Sequence, residues 1–372
     1  MSRGQSRLEV AETLAEARSL PGWFYNDPEA YKVLLERVLA RTWHLVELDG
    51  HGGLAGDPGL GAWPGWLLPG SLEEPVLMAR HEDGTSRLLS NVCTHRGRVL
   101  LEAACESPSI RCAYHGRRFD LRGCVRGSPG FEGEAAPGGD EDLPEIPTGT
   151  WGPIRFAAIE PHQPVDQWLA PLRSRLEHLP LQSLTPVPAG SRDYEVNANW
   201  ALYCDNYLEG LHIPFVHPAL GQQLDWSSYR VETFPWGSLQ VGVAAEGTPT
   251  LELPGGHPDA GSRVAALYFW LFPATMVNVY PWGISVNAVQ PLGLHRTRVC
   301  FRAFTWCDGD SVGGAGGDLD TVELEDEQVV EAVQRGVRSR MFRPGRYAPR
   351  HEVAVHHFHR LLARLWNEPE CG

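Results

Sequence analysis

The chain has 372 residues, 32 of them basic and 46 acidic, for a formal charge of −14. That length, with 42% apolar residues and 13 tryptophans, supplies material for two domains with real cores and excludes wholesale disorder. The acidic balance excludes a phosphate-backbone binder, which needs a basic face.

In chain order, residues 7–20 are expected to form a helix. Glu9, Glu12 and Glu16 leave no apolar stretch in this region, so it does not read as a secretory leader. No later run approaches the ~18 apolar residues of a membrane span, and a cytoplasmic location is expected. After Pro28, the recurrence of Tyr31, Leu34, Leu35, Val38 and Leu39 predicts a second helix, with Trp43 and Leu45 leading into a strand. From about 46 to 155 the runs shorten and glycine and proline recur. Strand-like pieces at 75–79, 87–91 and 154–159 predict a small, mostly β domain. A helix is expected at 167–179, a proline-marked connector at 185–190, long strands between 239 and 306, and helices after 321. The glycine-rich stretch 309–317 reads as a loop and not a phosphate cradle, since no GK[ST] follows.

Two constellations carry chemistry. The first is Cys93-x-His95 and Cys112-x-x-His115, with sixteen residues between His95 and Cys112. Two thiolates and two imidazoles on two turns suit either a tetrahedral zinc or a [2Fe–2S] cluster with one histidine-bound iron. Structural zinc sites usually group their cysteines, whereas each loop here supplies one ligand of each kind. The eight cysteines are otherwise too sparse for a disulfide scaffold.

The segments CTHRG at 93–97 and CAYHGRRFDLRG at 112–123 resemble the Rieske iron–sulfur domain. Gly127-Ser128-Pro129-Gly130 stands where such domains place a proline loop. Respiratory members carry an extra cysteine in each ligand loop and a serine after the second His-Gly. Here those places hold Arg98, Tyr114 and Arg117, which implies an oxygenase-type centre at the low end of the Rieske potential range. Arg117 replaces a tryptophan common in oxygenases and is expected to protrude toward an interface.

The second constellation lies in NWALYCDNYLEGLHIPFVHP, which ends at Pro218. On a continuous helix Asp205, Glu209 and His212 share one face and Trp200, Tyr207 and Leu211 the other; Pro214 breaks the helix before His217. Two histidines with nearby carboxylates suit a metal site with open positions. A distant acid supports this. Asp326 lies on the apolar stripe of Val330, Val333 and Val337, and a buried unpaired carboxylate calls for a cation. Glu323 lies on the same stripe one turn earlier, so spacing leaves it open as a ligand; Glu325 and Glu327 fall off it.

With both constellations the chain is similar to the catalytic α subunit of the Rieske non-haem iron oxygenases. The resemblance implies an α+β fold: a small all-β Rieske [2Fe–2S] domain at 42–155, and a helix-grip catalytic domain, an antiparallel sheet with a long helix, from 1–41 and 156–372. It implies Cys93, His95, Cys112 and His115 as cluster ligands, and His212, His217 and Asp326 as ligands of a mononuclear Fe(II), with Asp326 preferred over Glu323. It further implies Glu209 as the carboxylate linking the iron to a cluster histidine of a neighbouring subunit, Asn206 as a residue beside the iron, and a homotrimer. The cluster would receive electrons singly from an external ferredoxin or NAD(P)H-dependent reductase, because this chain shows neither a dinucleotide fingerprint nor a plant-type cluster motif. Dioxygen and a small molecule would be the substrates.

EDEQVVEAVQRG at 325–336, GRYAP at 345–349, HHFH at 356–359 and YPWG at 280–283 resemble the choline monooxygenase-like members acting on quaternary ammonium compounds. Such a substrate needs an aromatic cage or a carboxylate, and Tyr203, Tyr207, Phe269, Trp270, Tyr280 and Trp282 are the candidate aromatics. The expected reaction is hydroxylation or demethylation of a quaternary amine or betaine. The alternatives are an aromatic-ring-hydroxylating dioxygenase of the same architecture, a stand-alone electron carrier, and a zinc-stabilised binding protein. The four late histidines His351, His356, His357 and His359 are scattered by helical spacing and form no expected site.

Overall fold

The computed structural model describes residues 7–47, 60–131, 138–306 and 319–368. The glycine-rich 309–317 stretch therefore lies outside the described residues. The chain divides into two compact units, one of residues 1–43 with 162–372 and one of residues 44–161.

The smaller unit is built from three three-stranded antiparallel sheets. One joins Gly61–Leu67, Glu74–Arg80 and Ser86–Ser90; another joins Ser109–Arg111, Arg118–Asp120 and Val125–Gly127. The third pairs Ile154–Ala157 with His44–Leu45 and with Thr148–Trp151. Leu77, Leu89, Ile110 and Phe119 bury together, and Cys93 and Cys112 belong to the same core cluster.

The larger unit carries an eight-stranded antiparallel sheet. Its long strands, Gly237–Val243, Val264–Leu271, Thr275–Tyr280, Gly283–Gly293 and Arg296–Thr305, pair in chain order. Val264–Leu271, Thr275–Tyr280 and Gly283–Gly293 are largely apolar and buried along their length, as strands covered on both faces must be. Against this sheet pack the helices Trp200–Tyr207, Leu319–Val337 and Val353–Asn367.

Residues 7–20 form no helix; they run as turns and irregular chain. Their polar backbone groups find tertiary partners instead. Asn367 bonds both ways with Leu8 at 3.0 and 2.7 Å, and His356 donates to the Ala11 carbonyl at 2.9 Å. With Leu8, Ala17 and Leu20 buried, the strip gains more from docking than from an isolated helix of marginal length. The second predicted helix forms over Pro28–Leu34, capped by Asp27, and widens into a π turn over Leu35–Leu39.

Candidate functional site

The two cysteine–histidine loops have the same backbone. In the first, Gly97 N–H donates to the Cys93 carbonyl (2.9 Å) and Cys93 N–H to the Arg98 carbonyl (2.8 Å). In the second, Gly116 donates to Cys112 (3.0 Å) and Cys112 to Arg117 (2.8 Å). Each closing glycine sits at positive φ, 70° and 76°, where a side chain would be strained. The loops bring Cys93 and Cys112 together in the core, their sulfurs within hydrogen-bonding reach of each other. His95 and His115 stand exposed with ring centroids 4.8 Å apart. Two buried thiols beside two outward imidazoles fit the mixed ligation of a Rieske cluster.

Arg117 does not protrude. It is 2% exposed, and its guanidinium donates to Ser128 Oγ (2.8 Å), Thr94 Oγ1 (3.1 Å) and Glu141 Oε1 (3.3 Å). One side chain thus ties together the first ligand loop, the proline loop and the 139–141 turn. The fork of donors that a tryptophan lacks is what draws it inward.

In the larger unit the helix Trp200–Tyr207 stops before Glu209, so no continuous helix carries Asp205, Glu209 and His212. Asp205 faces away from the histidines and accepts from Tyr25 Oη (3.0 Å) and His359 Nε2 (2.8 Å). Leu211 is exposed and does not share a face with the buried Trp200. Ile213–Val216 forms a separate short helix with Pro214 in its first turn. This break turns His212 and His217 toward one point.

There they meet Asp326. One ligand atom from each of His212, His217 and Asp326 lies within 4.8 Å of the others. His217 Nε2 is 2.9 Å and His212 Nε2 3.7 Å from Asp326 Oδ1. Each ring is held from behind: His212 Nδ1 donates to Glu209 Oε1 (2.7 Å) and His217 Nδ1 to Glu325 Oε2 (2.6 Å). That arrangement leaves both Nε2 lone pairs for a metal. Burial pushes the His217 imidazole down, but Asp326 and Glu325 outweigh burial and raise it. The field at this point therefore favours a cation. Asn206 Nδ2 donates to Asp326 Oδ1 at 2.5 Å. The donor set and its back-bonding fit a two-histidine, one-carboxylate iron site.

The helix Leu319–Val337 sets this register, although its buried face differs from the predicted stripe. Val333 is exposed; the buried positions are Glu323, Val330, Gln334 and Val337, with Asp326 half-buried beside them. Gln334 replaces Val333 because its amide is fully used, accepting from Asn199 N–H (2.8 Å) and donating to Asn26 (2.9 Å). Glu323 is not among the converging ligand atoms.

A cavity of about 850 Å³, mouth included, opens beside the three residues. Its floor is a row of cross-strand partners: Gln240 pairs with Tyr268 and Tyr268 with Asn278, while Asn287 pairs with Phe301 on the next strands. Of the candidate aromatics, Tyr203, Tyr207 and Tyr280 line the cavity. Phe269 and Trp270 are core residues, and Trp282 stacks on Tyr280 without lining the cavity. Tyr229, Tyr268 and Phe301 were not anticipated; strand alternation and cross-strand pairing are the signals that find Tyr268 and Phe301, whereas Tyr229 lies on a turn before its strand. Burial holds the phenols of Tyr203, Tyr207, Tyr229 and Tyr280 well above their ordinary values, as neutral donors. Glu325, which was placed off the stripe, is the other residue that spacing missed.

The late histidines form no cluster. His356 donates to the Ala11 carbonyl, His357 to the Phe234 carbonyl, and His359 to Asp205.

Comparison with known proteins agrees with this architecture. The Rieske [2Fe-2S] domain family matches residues 70–145, and the ring hydroxylating alpha subunit (catalytic domain) family matches residues 185–368. A chloroplastic choline monooxygenase of Arabidopsis thaliana is 29% identical over 368 residues, spanning 94% of this chain and 83% of that protein. The carnitine monooxygenase oxygenase subunit of Escherichia coli is 25% identical, spanning 95% of each. The solved structure of a quaternary ammonium Rieske monooxygenase superposes with a TM-score of 0.76 at 22% identity, covering 97% of this chain and all of that one. Among the described residues no helix is long and apolar enough to cross a membrane. With a Rieske domain, the catalytic domain and both donor sets on one chain, this protein belongs to the Rieske non-haem iron oxygenases, as a catalytic α subunit that uses a [2Fe–2S] cluster and a mononuclear iron.

Proposed function

We propose that this oxygenase acts on an alkylammonium substrate, inserting one oxygen atom into an N-methyl or neighbouring C–H bond. In this reading Cys93, Cys112, His95 and His115 hold the cluster, and His212, His217 and Asp326 hold the iron. When bound, these groups supply electrons and activate dioxygen. The protein residues do the rest. Glu209 and Glu325 fix the tautomer of the iron histidines, and Asn206 orients Asp326. The tyrosine-rich cavity beside them receives the substrate; aromatic faces suit a cation with no N–H to donate.

The carboxylate of Glu209 is half-buried. It accepts from His212 Nδ1 and from the backbone N–H groups of Leu211 and His212, and its remaining lone pairs can accept from a cluster histidine of a neighbouring subunit. The assembly would be a homotrimer, reduced by a ferredoxin or an NAD(P)H-dependent reductase. The relatives named for choline and carnitine support the substrate class.

The observation that carries this reading is the meeting of His212, His217 and Asp326 beside that cavity. Turnover under isotopically labelled dioxygen tests it. One labelled atom per product, with an aldehyde or formaldehyde released from an alkylammonium compound, is the expected result. A cis-diol from an aromatic substrate, with no turnover of ammonium compounds, overturns it.

A further inference from the structure

Glu323 occupies one wall of the cavity, one helical turn before Asp326. It is 3% exposed. Its Oε2 accepts from Tyr203 Oη at 2.8 Å, while its Oε1 has no hydrogen-bond partner. Burial, and Asp326 one turn away, hold its carboxyl well above the usual carboxylate range; the charged form, with one buried oxygen unpaired, is costly until a cation stands beside it. Of the other two acids of the cavity, Glu209 accepts at both oxygens from His212 and two backbone N–H groups, and Asp326 stands at Oδ1 against His217 and Asn206.

The rest of the wall is equally informative. The described lining residues are tyrosines, amides, apolar side chains, the two histidines and the three acids, with no lysine or arginine among them. A substrate carboxylate entering this space would lose its water and meet no side-chain cation. A substrate cation would meet Glu323 and the aromatic side chains of Tyr203, Tyr268 and Tyr280.

We propose that Glu323, oriented by Tyr203, is the charge anchor of the substrate. It selects a singly cationic alkylammonium, such as an amino alcohol, and rejects a zwitterion that carries a carboxylate. This inference rests on the alkylammonium reading above and narrows it, because the two classes of relative differ on this very point: choline is a cation and carnitine a zwitterion.

The test compares three compounds of like shape on the holoenzyme: choline, glycine betaine and the uncharged 3,3-dimethylbutan-1-ol. Binding by calorimetry and dioxygen uptake are both read. Choline is expected to bind at least tenfold more tightly than either of the others. Glu323→Gln, which keeps the size of the side chain, is expected to raise Kd and KM for choline by about thirtyfold, the low end for removing one partner of a buried charge pair. Binding of the uncharged analogue and the iron and cluster content should stay unchanged. Tyr203→Phe should weaken choline binding in the same direction but less.

Glycine betaine binding as tightly as choline would overturn the anchor while leaving the alkylammonium reading intact. So would a Glu323→Gln enzyme whose preference for choline over the uncharged analogue is undiminished. No binding or turnover of either ammonium compound, with turnover of an aromatic, would overturn both readings. The ranking in the unaltered enzyme decides the matter even if the variant does not fold.

Discussion

Two residues show how much depends on a single side chain. Arg117 is a buried cation with three acceptors on three separate segments. Arg117→Ala removes that fork and leaves Ser128 and Thr94 short of a donor. The expected cost is about 3 kcal/mol in urea unfolding of the holoprotein, together with faster bleaching of the cluster's visible spectrum. Arg117→Lys should recover only part, since a point charge cannot serve three directions. Glu325 makes the corresponding case in the larger unit. Glu325→Ala frees the His217 ring, and iron affinity is expected to fall by roughly 10- to 100-fold, read as iron bound per chain at fixed free iron. The cluster spectrum should not change. Retention of full iron affinity would mean that His217 is oriented by packing alone.

At the scale of elements, the helices act as rulers. Leu319–Val337 presents Glu323 and Asp326 to the cavity and Glu325 to His217 within a single turn. The C-terminal helix Val353–Asn367 instead uses its histidines as structural donors. His356 and His357 are held below the ordinary imidazole value, first by burial and further by the charge of Arg360. In the unfolded chain they take up protons near pH 6.5, whereas in the folded chain they stay neutral to lower pH. Stability from this helix is therefore complete above about pH 7 and falls as the pH drops through 6.5 toward the depressed values. Urea midpoints measured from pH 7.5 to 5.5 should decline, and His357→Gln, which keeps a donor for the Phe234 carbonyl, should flatten the decline. An unchanged slope would show that the loss comes from other groups.

At the scale of the whole molecule, the proposed trimer makes a prediction that no single chain can meet. If His212 binds the iron, His115 the cluster, and Glu209 serves the cluster of a neighbour, His212→Ala chains and His115→Ala chains should complement each other. Each homogeneous variant should be inactive, and assemblies re-formed from an equal mixture should regain activity at roughly a quarter of their sites, since each working site needs two intact contributions from different chains. Mixed assemblies, verified by two affinity tags, that show no recovery would place the electron path within one chain.

The sequence alone determined what is local or periodic. The Cys-x-His and Cys-x-x-His spacings were legible because each loop closes on itself through a few backbone bonds and a glycine at positive φ. The long apolar strands were legible because burial on both faces leaves a continuous signal. Asp326 and Glu323 were both legible as acids on the apolar side of one helix, and spacing did not choose between them. The tertiary structure decided what depends on partners far along the chain. Residues 7–20 lost their expected helix to hydrogen bonds more than 340 positions away. Arg117 turned inward because acceptors on two later segments, together with Thr94, were waiting for it. Glu325 gained its role from a histidine 108 residues earlier, and Tyr268 and Phe301 gained theirs from neighbouring strands. Glu323 was left with a buried, unpaired oxygen because Tyr203 is the donor that reaches it, at the other oxygen. Short-range geometry is written in spacing; the pairing of buried polar groups is settled only when distant segments meet and each donor must find its acceptor.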